Sequence, residues 1–384
     1  MKLDRRRFIT GAGAAGVAGF AGCSGGPSSE ETSDGGDTET SSSGGGAEAS
    51  ASANAGIVYA TGGLGDGSFN DQAQQGVQQA AEDFGVESRK VQPQQPSDFE
   101  DLQRQFAQET DPNYDLVTCI GFLQGDALSK VAPEYPEQSF QIVDAVPMRD
   151  TDGDDEGDEQ FDNVGSYVFA EEEGSFLVGR LAGLLSTRSF SAGGGSTASD
   201  STNLGFVGGV ESDLIATFEA GFVSGVKSAS DDLDVQTAYT GSFNDPAAGK
   251  EAALQMYNSG ADIVYHASGN TGTGVFQAAQ EEGRFAIGVD RDQSVTKSSY
   301  ADVILASMVK RVDTAVYSAI EATVNGSFEG GATTSLGLAD DGVGITYGQQ
   351  LGAEISAEVK SEIDAAAQSI IDGSVDVPTD PTNV

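Results

Sequence analysis

The chain has 384 residues, with 60 Asp and Glu against 19 Lys and Arg and a formal net charge of −41. That balance excludes binding to nucleic acid or to an anionic membrane surface, since phosphate contacts need clustered cations. It suits very high salt, where self-repulsion is screened to about 3 Å at 1 M, and points to an extremely halophilic source.

The first residues read MKLDRRRF (1–8), and a short, weakly apolar run ends in FAGC (20–23). A basic stretch, a small apolar stretch and small residues before a processing point describe an export signal. The run is too short and too glycine-rich to span a bilayer, which needs about 20 apolar residues. The paired arginines read as the twin-arginine route. FAGC resembles a lipobox, so residues 1–22 are expected to be removed and Cys23 to carry lipid. Residues 24–54 are almost entirely Gly, Ser, Thr, Ala, Asp and Glu, a composition that buries too little to order itself, and read as a flexible tether. The expected address is the outer face of the cytoplasmic membrane. Cys119 lies in an apolar run and reads as inert core.

From residue 55 on, apolar β-branched runs alternate with helical patterns. GIVYAT (56–61) precedes a predicted helix over 70–84, and YDLVTCIGF (114–122) precedes one over 126–132. SFQIVDAV (139–146) and NVGSYVF (163–169) follow, then a helix over 174–186. A second series starts at NLGFVGGV (203–210), with a helix over 217–228. DVQTAYTGSF (234–243) leads to a helix over 246–259, and ADIVYHAS (261–268) to one over 272–282, before RFAIGVD (284–290). Two such series predict an α/β fold of two doubly wound parallel-sheet lobes. Segments 149–162 and 189–200 read as surface loops, and the tail beyond 372 as frayed.

Ligands of open parallel sheets collect outside the carboxyl ends of the strands. There the chain places TGGLGDGSFN (61–70), with Ser68, Phe69 and Asn70; Asp144; GSFNDP (241–246), with Phe243; GNTGTG, from Gly269; and Asp290. Aromatic faces stack on planar rings, and carboxylates accept from hydroxyls or ring N–H groups, whereas they repel phosphate. A nucleoside or sugar fits this set, and no GxxxxGK[ST] or true GxGxxG, between a strand and a helix, is present. Taken singly, Ser68 and Asn70 are capping residues, Phe69 and Phe243 are helix-entry packing, and a strand-end aspartate is an N-cap. Lys310 alone is a solvated lysine and the lone His266 a structural residue of its strand. Taken together, they occupy matching places in both lobes.

The motifs GDGSFND (65–71), EEEGSFLVGRLAG (171–183), FEAGFVSGVK (218–227), GSFNDPAAGKEAA (241–253), GNTGTGVFQAA (269–279), AIGVDRDQ (286–293) and SMVKRVD (307–313) resemble the basic membrane lipoprotein family of ABC-transporter substrate-binding proteins. The best-understood branch of that family binds purine nucleosides. The resemblance implies a hinged periplasmic-binding-protein type I fold, with one lobe from 55–168 plus 307–335 and the other from 169–306 plus 336–384. It implies that Phe69 and Phe243 sandwich a base, that Asp144 meets the base edge, and that Asp290 holds ribose hydroxyls with Gly269 and Lys310 nearby. Asp292 is left as a cap or surface acid. The implied partners are a nucleoside-like molecule, ABC permease subunits and the membrane, through lipid on Cys23; no cofactor, metal or catalytic residue is expected, and the receptor is read as a monomer. One departure stands out: Ala60 occupies a position where nucleoside-binding members often carry aspartate. Another small polar solute is therefore the alternative ligand. A nucleoside-processing enzyme would need a clustered metal site or acid/base pair, and a regulator of related fold a basic helix-turn-helix.

Overall fold

The computed structural model describes residues 52–154, 157–198 and 201–384. The signal segment, Cys23 and nearly all of the tether lie outside the described residues. In chain order the first half runs β1 (Asn54–Val58), α1 (Phe69–Phe84), β2 (Glu87–Val91), α2 (Phe99–Gln108), β3 (Leu116–Ile120), α3 (Gly125–Val131), β4 (Phe140–Val143), the ribbon β5 (Met148–Arg149) and β6 (Glu159–Gln160), β7 (Val164–Phe169) and α4 (Glu171–Ser186). A second ribbon, β8 (Ser191–Ala192) and β9 (Gly195–Ser196), precedes β10 (Asn203–Gly208), α5 (Asp213–Ala229), β11 (Asp234–Tyr239), α6 (Pro246–Asn258), β12 (Ala261–Ala267), α7 (Gly272–Glu282) and β13 (Phe285–Asp290). The chain ends with α8 (Gln293–Thr296), β14 (Ile304–Lys310), α9 (Val312–Val324), β15 (Thr333–Leu336), β16 (Val343–Tyr347) and α10 (Ala357–Ile371).

The strands form two six-stranded sheets, ordered β15-β7-β4-β3-β1-β2 and β11-β10-β12-β13-β14-β16. All neighbours in the first are parallel, as are those of the second except the β14–β16 pair. The central strands β3 (LVTCI), β4 (FQIV) and β12 (ADIVYHA) are buried along their whole length. Helices cover both faces, which is why these strands read as continuous apolar runs rather than alternating ones. Cys119 and His266 are both fully buried within their strands.

The chain passes between the sheets at β7 to α4, at β14 to α9 and at β15 to β16. Helix α9 packs on α1, β3 and β4 of the first lobe, and α4 on α5, β14 and β16 of the second. The second crossing falls later than the boundary at 307 drawn from the sequence. ILASMVK is one uninterrupted strand paired with β13, so Ser307 to Lys310 belong to the second sheet. The two segments expected to be plain loops fold back as the short antiparallel ribbons β5–β6 and β8–β9. The tail is also not frayed: Val377 is buried and the turn Pro381–Asn383 packs on α5.

Candidate functional site

The carboxyl ends of β1, β3 and β4 face those of β10, β12, β13 and β14 across a cleft with about 680 Å³ of space free of protein atoms, including its open mouth. Of the residues singled out from the sequence, Phe69, Asn70, Asp144, Phe243, Gly269, Asp290 and Lys310 all line it, and Ser68 lies directly behind Asp290.

The loop before α1 sets the first group. The Asp66 carboxylate accepts the backbone N–H groups of Ser68 at 2.9 Å, Asn70 at 2.9 Å and Asp71 at 3.2 Å. It therefore caps α1, the role that sequence reading gave to Ser68, whose side chain makes no capping bond. Thus released, the Ser68 hydroxyl donates across the lobes to Oδ2 of Asp290. Asn70 is also turned from capping to the cleft: its Oδ1 accepts the Ala60 N–H at 2.9 Å and its amide donates to Asp66 at 3.1 Å.

Asp144 follows β4 and Asp290 ends β13, one from each lobe. Both hold left-handed backbone, with φ of 70° and 66°. Aspartate tolerates that region better than most residues, yet such conformations persist only where the surroundings enforce them. Asp290 is buried, and burial pushes its carboxyl up to about 7 despite the Ser68 hydrogen bond and the Lys310 charge.

Lys310, the last residue of β14, places Nζ 2.7 Å from Asp144 Oδ1 and 2.7 Å from Glu171 Oε1. The same ammonium lies 5.5 Å from the Phe69 ring, 4.9 Å from Phe169 and 5.5 Å from Phe218, distances at which ring quadrupoles stabilise a cation. Burial alone would lower the pKa of this lysine, but the two acids hold it above the ordinary value. Burial outweighs the lysine at the acids themselves, raising Asp144 and pushing Glu171 up to about 7. Phe243 meets Phe122 of the opposite lobe edge-on, with centroids 6.2 Å apart.

Sequence reading missed Asp66, Glu171, Phe122 and Phe218. Glu171 was hidden in a run of three glutamates that looks like solvated surface; its signal is its place directly after the β7 strand. Asp292, by contrast, caps α8 by accepting the Ser294 N–H at 3.0 Å. The exposed trio Asp150, Asp152 and Asp158 has oxygens within 4.8 Å of one another on the β5–β6 segment and shares no residue with the cleft. No helix among the described residues is long and apolar enough to cross a membrane.

Two doubly wound lobes enclosing a ring-lined, carboxylate-bearing cleft at their strand ends have the architecture of a small-molecule-binding protein. A family profile described as "ABC transporter substrate-binding protein PnrA-like" matches residues 53–380. The chain belongs to that family. It is 34% identical to the CD4+ T-cell-stimulating antigen of Listeria innocua over 340 residues, 85% of this chain and 88% of the relative. It is 32% identical to the ABC transporter nucleoside-binding protein BmpA of Lactococcus lactis over 341 residues, 85% of this chain and 89% of the relative. Among solved structures, an ABC transporter solute-binding protein of Aeropyrum pernix K1 matches with a TM-score of 0.73 and 29% identity, over 85% of this chain and 93% of that one. Membership implies a small-molecule ligand and a permease partner.

Proposed function

We propose that this protein captures a purine nucleoside in the cleft between its lobes and hands it to an ABC permease, while lipid on Cys23 keeps it at the outer face of the cytoplasmic membrane. The observation that carries the ligand class is the charge balance of the cleft. Its one lysine is already shared by Asp144 and Glu171, so little positive charge is left for an anion such as a nucleotide. What remains are Phe69 and Phe243 for a planar ring, and Asp290 for donor groups such as hydroxyls. The description of the Lactococcus lactis relative as nucleoside-binding supports the same reading. The export signal, FAGC and tether support the anchored address.

Ala60 favours a second reading, in which another ring-bearing polar solute is the ligand, because a methyl group lines the cleft there. A thermal-shift panel of purine and pyrimidine nucleosides, free bases, nucleotides and sugars in multimolar KCl separates the two. A nucleoside at 100 times its dissociation constant stabilises the protein by about 2.7 kcal/mol. Failure of every nucleoside, with a sugar or other solute responding, would replace the nucleoside reading with the second one.

A further inference from the structure

His266 is the only histidine of the chain and sits fully buried in β12. Its Nε2 lies 2.9 Å from Gln293 Oε1, and its Nδ1 lies 3.2 Å from the Ser268 hydroxyl. Gln293, also fully buried, accepts the backbone N–H of Val289 on that same oxygen at 2.9 Å. Its amide nitrogen reaches the carbonyl of Gly67 on the first lobe at 3.4 Å, and Thr296 donates its hydroxyl to that carbonyl at 2.8 Å.

One backbone donor fixes every direction in this chain. Val289 N–H can only donate, so Gln293 presents oxygen on that side and N–H toward Gly67. His266 must then donate through Nε2, which leaves Nδ1 bare to accept from Ser268. Burial pushes the imidazole down to about 3, so the ring stays neutral and this order does not reverse at ordinary pH. Ser268 lines the cleft. Val289 immediately precedes Asp290, and Gly67 immediately precedes Ser68. Two motif glycines leave room for the chain: a Cβ on Gly272 would stand 1.9 Å from His266, and one on Gly288 would stand 2.6 Å from Gln293 Oε1.

We propose that Ser268, His266 and Gln293 are positioning residues, forming a hydrogen-bonded chain that sets the backbone turn presenting Asp290 to the cleft and ties that turn to the first lobe at Gly67. The wall of the cleft and the contact that holds the lobes together are thereby parts of one polar network. Gln293 acts on ligand through Asp290 and on closure through Gly67.

The test uses the full chain with Cys23→Ser, carrying spin labels at the exposed positions Glu82→Cys on α1 and Glu251→Cys on α6. Pulsed electron resonance then reads the distance between lobes without ligand and with guanosine, inosine or adenosine. Gln293→Met is expected to lower the closed-to-open ratio about fivefold or more, as is Thr296→Val, which removes one hydroxyl at nearly constant shape. His266→Phe should shift the ratio the same way and add nothing on the Gln293→Met background, because both break one chain. Unchanged distances in Gln293→Met, or additive effects of the pair, would reduce these residues to core packing and overturn the proposal. Should Gln293→Met fail to fold, Thr296→Val and Ser268→Ala carry the test, and two unchanged distributions overturn it equally. The distances with nucleoside rest on the nucleoside reading and the ligand-free distances do not. Wild type binding none of the three nucleosides would sink that reading while the distances still decide on the chain.

Discussion

Ser68 on the first lobe donates its hydroxyl to Oδ2 of Asp290 on the second. One carboxylate oxygen is thus engaged by the protein, and Oδ1 is the oxygen left for a ligand. A sugar hydroxyl should therefore make one charge-assisted bond here rather than a forked pair, worth about 1.5–3 kcal/mol. Asp290→Ala is expected to weaken a ribonucleoside roughly tenfold to a hundredfold and a 2′-deoxynucleoside much less. Asp292→Ala, which removes only a cap on α8, should change either affinity by less than about threefold. Calorimetry on both variants decides it. Equal losses for the two ligands, or a larger loss for Asp292→Ala, would remove Asp290 from the sugar.

The same carboxylate gives opposite pH dependences for binding and for stability. Its folded pKa of about 7 lies above the ordinary carboxylate value, so its contribution to stability is complete at low pH and is lost as pH rises toward and through 7. As a hydrogen-bond acceptor for ligand it strengthens over that same interval. Melting of the ligand-free protein should fall between pH 5 and 8 in multimolar salt while affinity rises. Asp290→Asn should flatten part of both slopes. Parallel slopes in the variant and wild type would show that Asp290 does not titrate there.

How much of this was legible in the sequence follows from burial. Strands covered on both faces carry uninterrupted apolar runs, so β3, β12 and β13 could be read to within two residues at each end and β4 to within three. Strand β2 (ESRKV) could not, because it lies at a sheet edge and is exposed at four of its five positions. Only Phe99, Gln103 and Phe106 of α2 are buried, too thin a stripe to stand out from its polar neighbours. In the cleft, groups at strand ends were found because their place in the sheet is itself the signal. Glu171 was not, because the run it shares with Glu172 and Glu173 looks like solvated surface and masked its place after β7. Asp66 was missed as the cap of α1 for a similar reason: it and Ser68 can both cap a helix, and only the opposite lobe explains why the hydroxyl was needed elsewhere.

The net charge of −41 makes a second kind of prediction. Lowering salt from 1 M to 0.01 M lengthens the screening distance from about 3 Å to about 30 Å, bringing acids across the whole surface into mutual repulsion. A loss of several kcal/mol corresponds to a fall in melting temperature of roughly 10 °C or more, at ~2–4 °C per kcal/mol for a larger domain. Calorimetric scans from multimolar to millimolar KCl measure it. Equal melting at both ends would contradict adaptation to high salt.

Lys310→Met tests the buried ion cluster directly. Methionine keeps an apolar stem of nearly the same length but lacks the ammonium, so Asp144 and Glu171 lose their shared cation and the rings of Phe69, Phe169 and Phe218 lose the charge they face. Removing one partner of a buried pair costs about 3–5 kcal/mol when the remaining charge cannot be neutralised. Here it can be: burial already raises both acids, and without the lysine they rise further and take up protons. The sign follows. At pH 8 both carboxylates must either ionise unpaired or bind protons against the solution, and the full loss of stability appears. At pH 5 protonation is cheap and most of the loss disappears. Unfolding of Lys310→Met and wild type should therefore differ strongly at pH 8 and converge toward pH 5. A difference that is the same at both pH values would mean that the lysine acts by packing alone and that neither acid depends on its charge.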